Sequence, residues 1–238
     1  MSASYDPALA PARSAGANQS SAASVLTTWA VVVPVKLLAQ AKSRLATMAG
    51  SHRERLALAM ATDTVTAALA APRVREVIVV TDDPVAAPVL AEAGAKIVPD
   101  EPDAGLNPAL RHGAGLADAD TGEVAVAALS ADLPALRPYE LARALDAAKH
   151  HDIAFVPDAA GVGTTLYAAA LARHFAPEFG SCSRDRHAAV GAHEITVNAI
   201  DSVRRDVDTP DDLHAAAELG LGRNTASLID LLPDASTY

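Results

Sequence analysis

Apolar residues fall along this chain in two alternating patterns. Unbroken apolar runs of strand length occur at Trp29 to Val35 (WAVVVPV), Val77 to Thr81 (VIVVT), Ala95 to Val98 and Val124 to Leu129 (VAVAAL). Such runs predict strands buried on both faces, because a strand with one wet face would alternate. Between them, apolar positions recur at helical spacing in His52 to Ala70, Val85 to Ala93, Asn107 to Ala117 and Pro138 to Lys149. Pro138 falls in a first turn, where a backbone N–H would lack a helical partner anyway. Three more strands are expected at Ile153 to Val156, Thr165 to Ala169 and Ile195 to Ala199. A last helix is expected over Pro210 to Leu219, with Thr209 as its cap.

Strands alternating with helices predict an α/β fold: a mostly parallel central sheet flanked by helices and built with right-handed crossovers. Ligands bind such sheets beyond the carboxyl ends of the strands. Two segments stand outside the pattern. Residues 1–27, rich in Ser, Ala, Pro and Gly, read as a flexible leader, and residues 221–238 as a C-terminal tail. A single domain over residues 28–220 remains.

Composition sharpens this picture in three places. Half of the residues are hydrophobic but only 3% are aromatic, so the core is expected to be Ala, Val and Leu packed closely between helix and sheet. The net charge of −10 argues against a nucleic-acid surface, yet leaves room for one nucleotide, whose phosphates need only a few local cations. The one cysteine, Cys182, excludes an intrachain disulfide and a cysteine metal cluster, and a reducing cytoplasm is expected. No apolar run reaches membrane-spanning length, and the N-terminus lacks the pattern of a signal peptide.

The candidate chemistry sits where strands end. After the first strand, Lys36, Lys42 and Arg44 fall close together (PVKLLAQAKSRL), and an acidic chain has reason to place cations there if a triphosphate is bound. The loop matches neither a P-loop nor a dinucleotide fingerprint. The fourth strand ends in LSADLPAL, which puts the lone carboxylate of Asp132 at the sheet edge; Mg²⁺ bound with a triphosphate needs one or two such groups. Asp206 and Asp208 alternate along an extended segment before the last helix, and one of them is expected to face the cleft while the other faces away. Asp211 and Asp212 are explained as first-turn acids. Two loops, GVGTTL (161–166) and FGSCSRDRH (179–187), offer backbone amides, hydroxyls, two arginines and a histidine to a phosphate or carboxylate. Asn107, at a loop-to-helix junction, is either a cap or a contact to base or ribose. Cys182 is a weak nucleophile candidate, with only Arg184 and Arg186 near it in sequence. His52, His112, His150, His151, His174, His193 and His214 show no metal-ligand spacing.

The succession PVKLLAQAKSRL, GLNPAL, LSADLPAL, GVGTTL, FGSCSRDRH and DVDTPDDL resembles the 2-phospho-L-lactate and phosphoenolpyruvate guanylyltransferases of coenzyme F420 biosynthesis over about residues 29–220. These belong to a larger nucleotidyltransferase group that includes the molybdenum-cofactor guanylyltransferases. That group usually has a Gly-rich first loop; Pro34 and Lys36 stand there instead, which favours the F420 branch. The resemblance implies a Rossmann-like nucleotidyltransferase domain with two Mg²⁺ ions held by Asp132 and by Asp206 or Asp208. It implies a nucleotide site at Pro34, Lys36 and Asn107, catalytic cations Lys36, Lys42 and Arg44 beside Asp132, and acid-substrate contacts at Thr164, Thr165, Gly180 and Ser183. The implied partners are GTP, phosphoenolpyruvate or 2-phospho-L-lactate, and a downstream enzyme that takes an unstable product, with no nucleic acid and no membrane. Transfer to molybdopterin or a sugar phosphate, and a non-catalytic nucleotide-binding module, are the alternatives.

Overall fold

Each unbroken apolar run becomes a strand of one central sheet. The computed structural model describes residues 1, 27–40, 45, 52–101, 103–117 and 124–231. Lys42, Arg44, nearly all of the expected leader and residues 232–238 lie outside the described residues. Among those described, the strands are β1 (Trp29–Pro34), β2 (Val74–Val80), β3 (Lys96–Val98), β4 (Ala125–Leu129), β5 (Ile153–Pro157), β6 (Thr164–Ala169) and β7 (His193–Glu194). They lie in the order β3-β2-β1-β4-β6-β5-β7. β1 to β4 pair in parallel, as do β5 and β7, whereas β6 runs antiparallel to both β4 and β5. The chain fills the sheet outward from β1 in one direction through β3, then returns to lay β4 on the other side. This is the switch point at which a ligand cleft opens.

Alternate strand residues feed two layers. Val31, Val33, Val79 and Ala127 pack under α1 (Arg53–Leu69), α2 (Ala86–Glu92) and α4 (Pro138–Ala148). Val32, Ile78, Ala128 and Tyr167 face α3 (Leu106–Gly115) and α5 (Ser183–Ala189). The small side chains matter for spacing. A Cβ on Gly113 of α3 would stand 2.7 Å from methyls of both Val32 and Val80, so this helix crosses the sheet at a distance that only glycine permits.

Two expectations need correction. Residues 195–199 are not a strand; the edge strand is the two-residue β7, and pairing ends when the Ile195 amide donates to the Phe155 carbonyl. Residues 221–231 are not a tail. After α6 (Asp201–Arg204) and α7 (Pro210–Leu219), the chain forms α8 (Arg223–Ile229), whose Leu228 and Ile229 share a cluster with Leu56, Met60, Val207 and Leu213. The α8 N-terminus is capped from afar. Asp63 on α1 accepts from the Asn224 and Thr225 amides at 3.0 and 2.8 Å, so a carboxylate meets two N–H groups that the helix leaves unpaired. Thr209 caps α7 as expected, in a full capping box with Asp212. No helix among the described residues is long and apolar enough to cross a membrane.

Candidate active site

The loop after β1 is held from the neighbouring strand. The Val35 amide donates to the Val80 carbonyl at 2.9 Å, and the Leu38 amide donates to Asp83 Oδ2 at 2.8 Å. Asp83 also accepts from the amides of Val85 and Ala86 through Oδ1, at 2.9 and 2.8 Å, and so closes the first turn of α2. Burial alone would raise its pKa, but the three amides outweigh burial and hold the carboxyl below its ordinary range. The loop thereby presents Pro34 and Lys36 to two adjoining cavities. One, of about 320 Å³, reaches Ser130, Asp132 and Asp208. The other, of about 310 Å³, reaches Thr81, Asp82, Asp100 and Gly105. Both are walled by Pro34, Val35, Lys36 and Leu106, so one elongated ligand can span them.

Asp132 is fixed on both sides. The next amide, Leu133 N–H, donates to the buried Thr64 hydroxyl of α1 at 3.0 Å. The carbonyl of Asp132 accepts from the Val207 amide at 3.0 Å, which draws the Asp206–Asp208 segment alongside. Val207 is fully buried, so Asp206 and Asp208 on either side of it turn away from its core. Residues two apart on an extended chain share a face, and both acids lie near Asp132 rather than on opposite sides of the segment. Asp208 lines the same cavity as Asp132. Burial, and then the charges of Asp132, Asp158 and Asp208, push Asp206 up to about 7.

Such crowding of carboxylates is the donor set a divalent cation relieves. Among the described residues, no three His, Cys, Asp or Glu side chains close on one cation without help. A divalent cation held by one or two of these carboxylates would complete its shell with phosphate oxygens and water. Asp132 and Asp208, which line one cavity, could supply the protein's share of such a shell, with Asp206 beside them.

The third wall comes from β6. Because this strand is antiparallel, its first residues, Thr164 and Thr165, lie at the edge where β4 ends, and the Ser130 amide donates to the Thr165 carbonyl at 2.8 Å. The preceding loop is folded around Asp158, which accepts from the Val162 and Gly163 amides at 2.8 and 2.7 Å. The second expected substrate loop is largely helix: α5 begins at Ser183, straight after Cys182 in the left-handed region (φ 54°). Gly180 has φ 125°, which suits glycine, and a Cβ there would stand 2.9 Å from the Arg186 guanidinium. Arg184 ties the two loops together through the Gly161 carbonyl at 3.0 Å and pairs with Glu194. Cys182 is exposed and free.

Pro34, Lys36, Asp132 and Asp208 thus converge on one cavity. Asp206 stands close enough to the other acids to feel their charge, and Thr165 bonds the loop that carries Asp132. Asn107 plays another part. Its amide grips the Phe179 backbone in both directions, at 2.8 and 3.1 Å, and the cap of α3 is Gly105. Thr64 and Val207 escape a reading of sequence because their partners, Leu133 and Asp132, lie far along the chain, as Leu38 does from Asp83.

Similarity to known proteins agrees with this geometry. Residues 29–229 match the family described as Guanylyl transferase CofC like. A phosphoenolpyruvate guanylyltransferase of Thermomonospora curvata is 59% identical over 206 residues, covering 87% of this chain and 90% of that protein. Among solved structures, a nucleotidyl transferase from Methanothermobacter thermautotrophicus superposes with a TM-score of 0.59 at 20% identity, covering 81% of this chain and 97% of that one. A Mycobacterium tuberculosis protein solved in complex with manganese gives 0.50 at 20% identity, covering 81% and 99%. With a switch point between the paired strands β1 and β4, carboxylates gathered beyond the end of β4 and a family match over nearly the whole folded region, this chain belongs to the CofC-like guanylyl transferase family.

Proposed function

We propose that the protein moves GMP from GTP to phosphoenolpyruvate, releasing pyrophosphate, as a step of coenzyme F420 biosynthesis. One observation carries this reading: two cavities share the Lys36 wall, and one of them meets the Asp132 and Asp208 carboxylates near the sheet edge where Thr164 and Thr165 begin β6. The triphosphate lies along Lys36, and the nucleoside extends into the cavity of Thr81, Asp82 and Asp100, whose carboxylates can accept from the N–H groups of guanine. The acid occupies the side of Thr164, Thr165, Gly180 and Ser183.

An oxygen of the acid's phosphate attacks the α-phosphorus of GTP; a P–O bond forms there as the bond to the β-phosphate oxygen breaks, and pyrophosphate leaves. The attacking phosphate is already ionised, so no strong general base is needed. The barrier is anion–anion repulsion and alignment, which the Lys36 charge in the shared wall of the two cavities reduces. A divalent cation, with Mg²⁺ proposed and two ions suggested by the acid count, would supply charge neutralisation at the α-phosphate. We place the reaction in the cytoplasm, with a downstream enzyme consuming the diphosphate-linked product.

The test is pyrophosphate release from GTP and Mg²⁺ with phosphoenolpyruvate and 2-phospho-L-lactate in parallel, with a downstream F420-synthesis enzyme and its deazaflavin acceptor present to trap the product. Faster turnover with phosphoenolpyruvate is expected. Turnover with neither acid, but with molybdopterin or a sugar phosphate, would move the chain to another acceptor.

A further inference from the structure

His187 has no substrate-facing surface: it is fully buried between the rings of Phe155, Tyr167 and Phe179. Its two nitrogens nonetheless have defined partners. The Glu178 amide points at Nε2 from 2.9 Å, and an amide can only donate, so Nε2 carries a lone pair. Burial, helped by the Arg186 charge, pulls the imidazole down to about 4, so the ring is neutral near pH 7. A neutral ring with a bare Nε2 has its proton on Nδ1. That Nδ1–H stands 2.9 Å from Thr164 Oγ1, which therefore accepts. The hydroxyl proton of Thr164 is then free to donate to something else.

Thr164 opens β6 at the sheet edge beside the loop of Asp132, and Ser183 lies one turn before His187 on the buried face of α5. We infer that His187 is a positioning residue that sets the Thr164 hydroxyl as a hydrogen-bond donor to an ionised oxygen of the acid substrate. The inference rests on the proposed guanylyl transfer for its substrate, and on the hydrogen bonds above for its geometry. A hydroxyl that accepts from Nδ1–H keeps its own proton to donate, and an ionised oxygen, which brings no proton, is the partner that needs it. The pair would thus select the ionised acid without adding a charged side chain to a site already crowded with anions.

The experiment measures the KM of the acid and of GTP, and acid binding by calorimetry with Mg²⁺, for wild type, Thr164→Val, Thr164→Ser, His187→Asn, His187→Gln and the double variant Thr164→Val/His187→Gln. Losing Thr164's donor is expected to raise the acid KM ~10-fold or more while the GTP KM stays within about twofold. Thr164→Ser restores the wild-type value. His187→Asn places an N–H where Nδ1 stood and keeps most of the affinity; His187→Gln reaches the Glu178 amide instead and loses it. In the double variant, His187→Gln adds nothing to Thr164→Val. Additive losses, or equal changes in both KM values, would reduce His187 to a packing residue. A ¹⁵N spectrum of the wild-type protein gives an independent check, and a bare Nδ1 overturns the inference whatever the variants do. If wild type binds the acid through Thr164 yet transfers no GMP to it, the proposed function fails and this inference stands. If wild type turns over and Thr164→Val binds the acid unchanged, the reverse holds. If wild type neither binds nor uses the acid, both fail.

Discussion

The Val207 amide donates to the Asp132 carbonyl at 3.0 Å, and this backbone bond joins two segments 75 residues apart (207 − 132) into one acidic edge. The carboxylates of Asp132, Asp206 and Asp208 therefore gather before any ligand arrives, and their repulsion is built into the fold.

Asp132→Asn should remove that edge's most central charge while leaving its backbone bonds in place. Magnesium-dependent pyrophosphate release is expected to fall at least ~100-fold, with the thermal midpoint held or raised. Full activity in the purified variant would remove Asp132 from the metal site.

Asp206 gives a pH signature. Its native pKa of about 7 lies above the ordinary carboxyl value of 3.8, so the folded state binds its proton more tightly than the unfolded chain does. The stability that this proton confers is fully present below about pH 4 and is lost as pH rises to 7. Asp206→Asn imitates the protonated form at every pH. The variant should match wild type near pH 4 and exceed it above pH 7 by on the order of 2–4 kcal/mol in metal-free buffer. Added Mg²⁺ should narrow the gap from the wild-type side. Denaturant unfolding across pH reads both effects; a gap that does not change with pH would show that Asp206 ionises normally.

Asp83 should matter for the loop after β1 as well as for α2. Asp83→Ala strands the amides of Leu38, Val85 and Ala86 and is expected to cost about 2–3 kcal/mol. The GTP KM should rise more than the acid KM, because the loop carries Lys36 and Pro34. Equal rises would mean that the loop holds its shape without Asp83.

Thr64→Val is nearly isosteric and removes the acceptor for the Leu133 amide. A loss of about 1–2 kcal/mol and a kcat lowered ~10-fold at unchanged GTP KM are expected, since Asp132 loses one of its two tethers. Unchanged kcat would leave Val207 as the sufficient tether.

Much of this was legible in sequence. The runs WAVVVPV and VAVAAL read as strands because both faces of β1 and β4 are covered, and LSADLPAL located Asp132 because an apolar strand must end at a sheet edge. The strand β7 was misplaced because two paired residues leave no period to read. The helix α5 was hidden because only Ser183 and His187 of SRDRHAA are buried, too few to mark a face. The helix α8 reads as a tail in sequence because its N-terminus is capped by Asp63, 161 residues before Asn224. Asp63→Ala should accordingly loosen residues 223–229 and lower the thermal midpoint by several degrees, roughly 1–2 kcal/mol of capping. Amide exchange across that segment will show whether it opens.

The reversal of β6 divides labour across the sheet. A parallel strand in that place would bring only its last residue to the ligand edge. A reversed one arrives there as half of a hairpin with β5, joined by the turn at residues 158–163 on the side proposed for the acid. The walls proposed for the nucleotide belong to β1, β2 and α3 on the far side of β4. Under that arrangement the hairpin turn can lengthen, shorten or change composition without disturbing the GTP half. New acceptors would then arise by editing a few residues of one turn, while the donor stays constant.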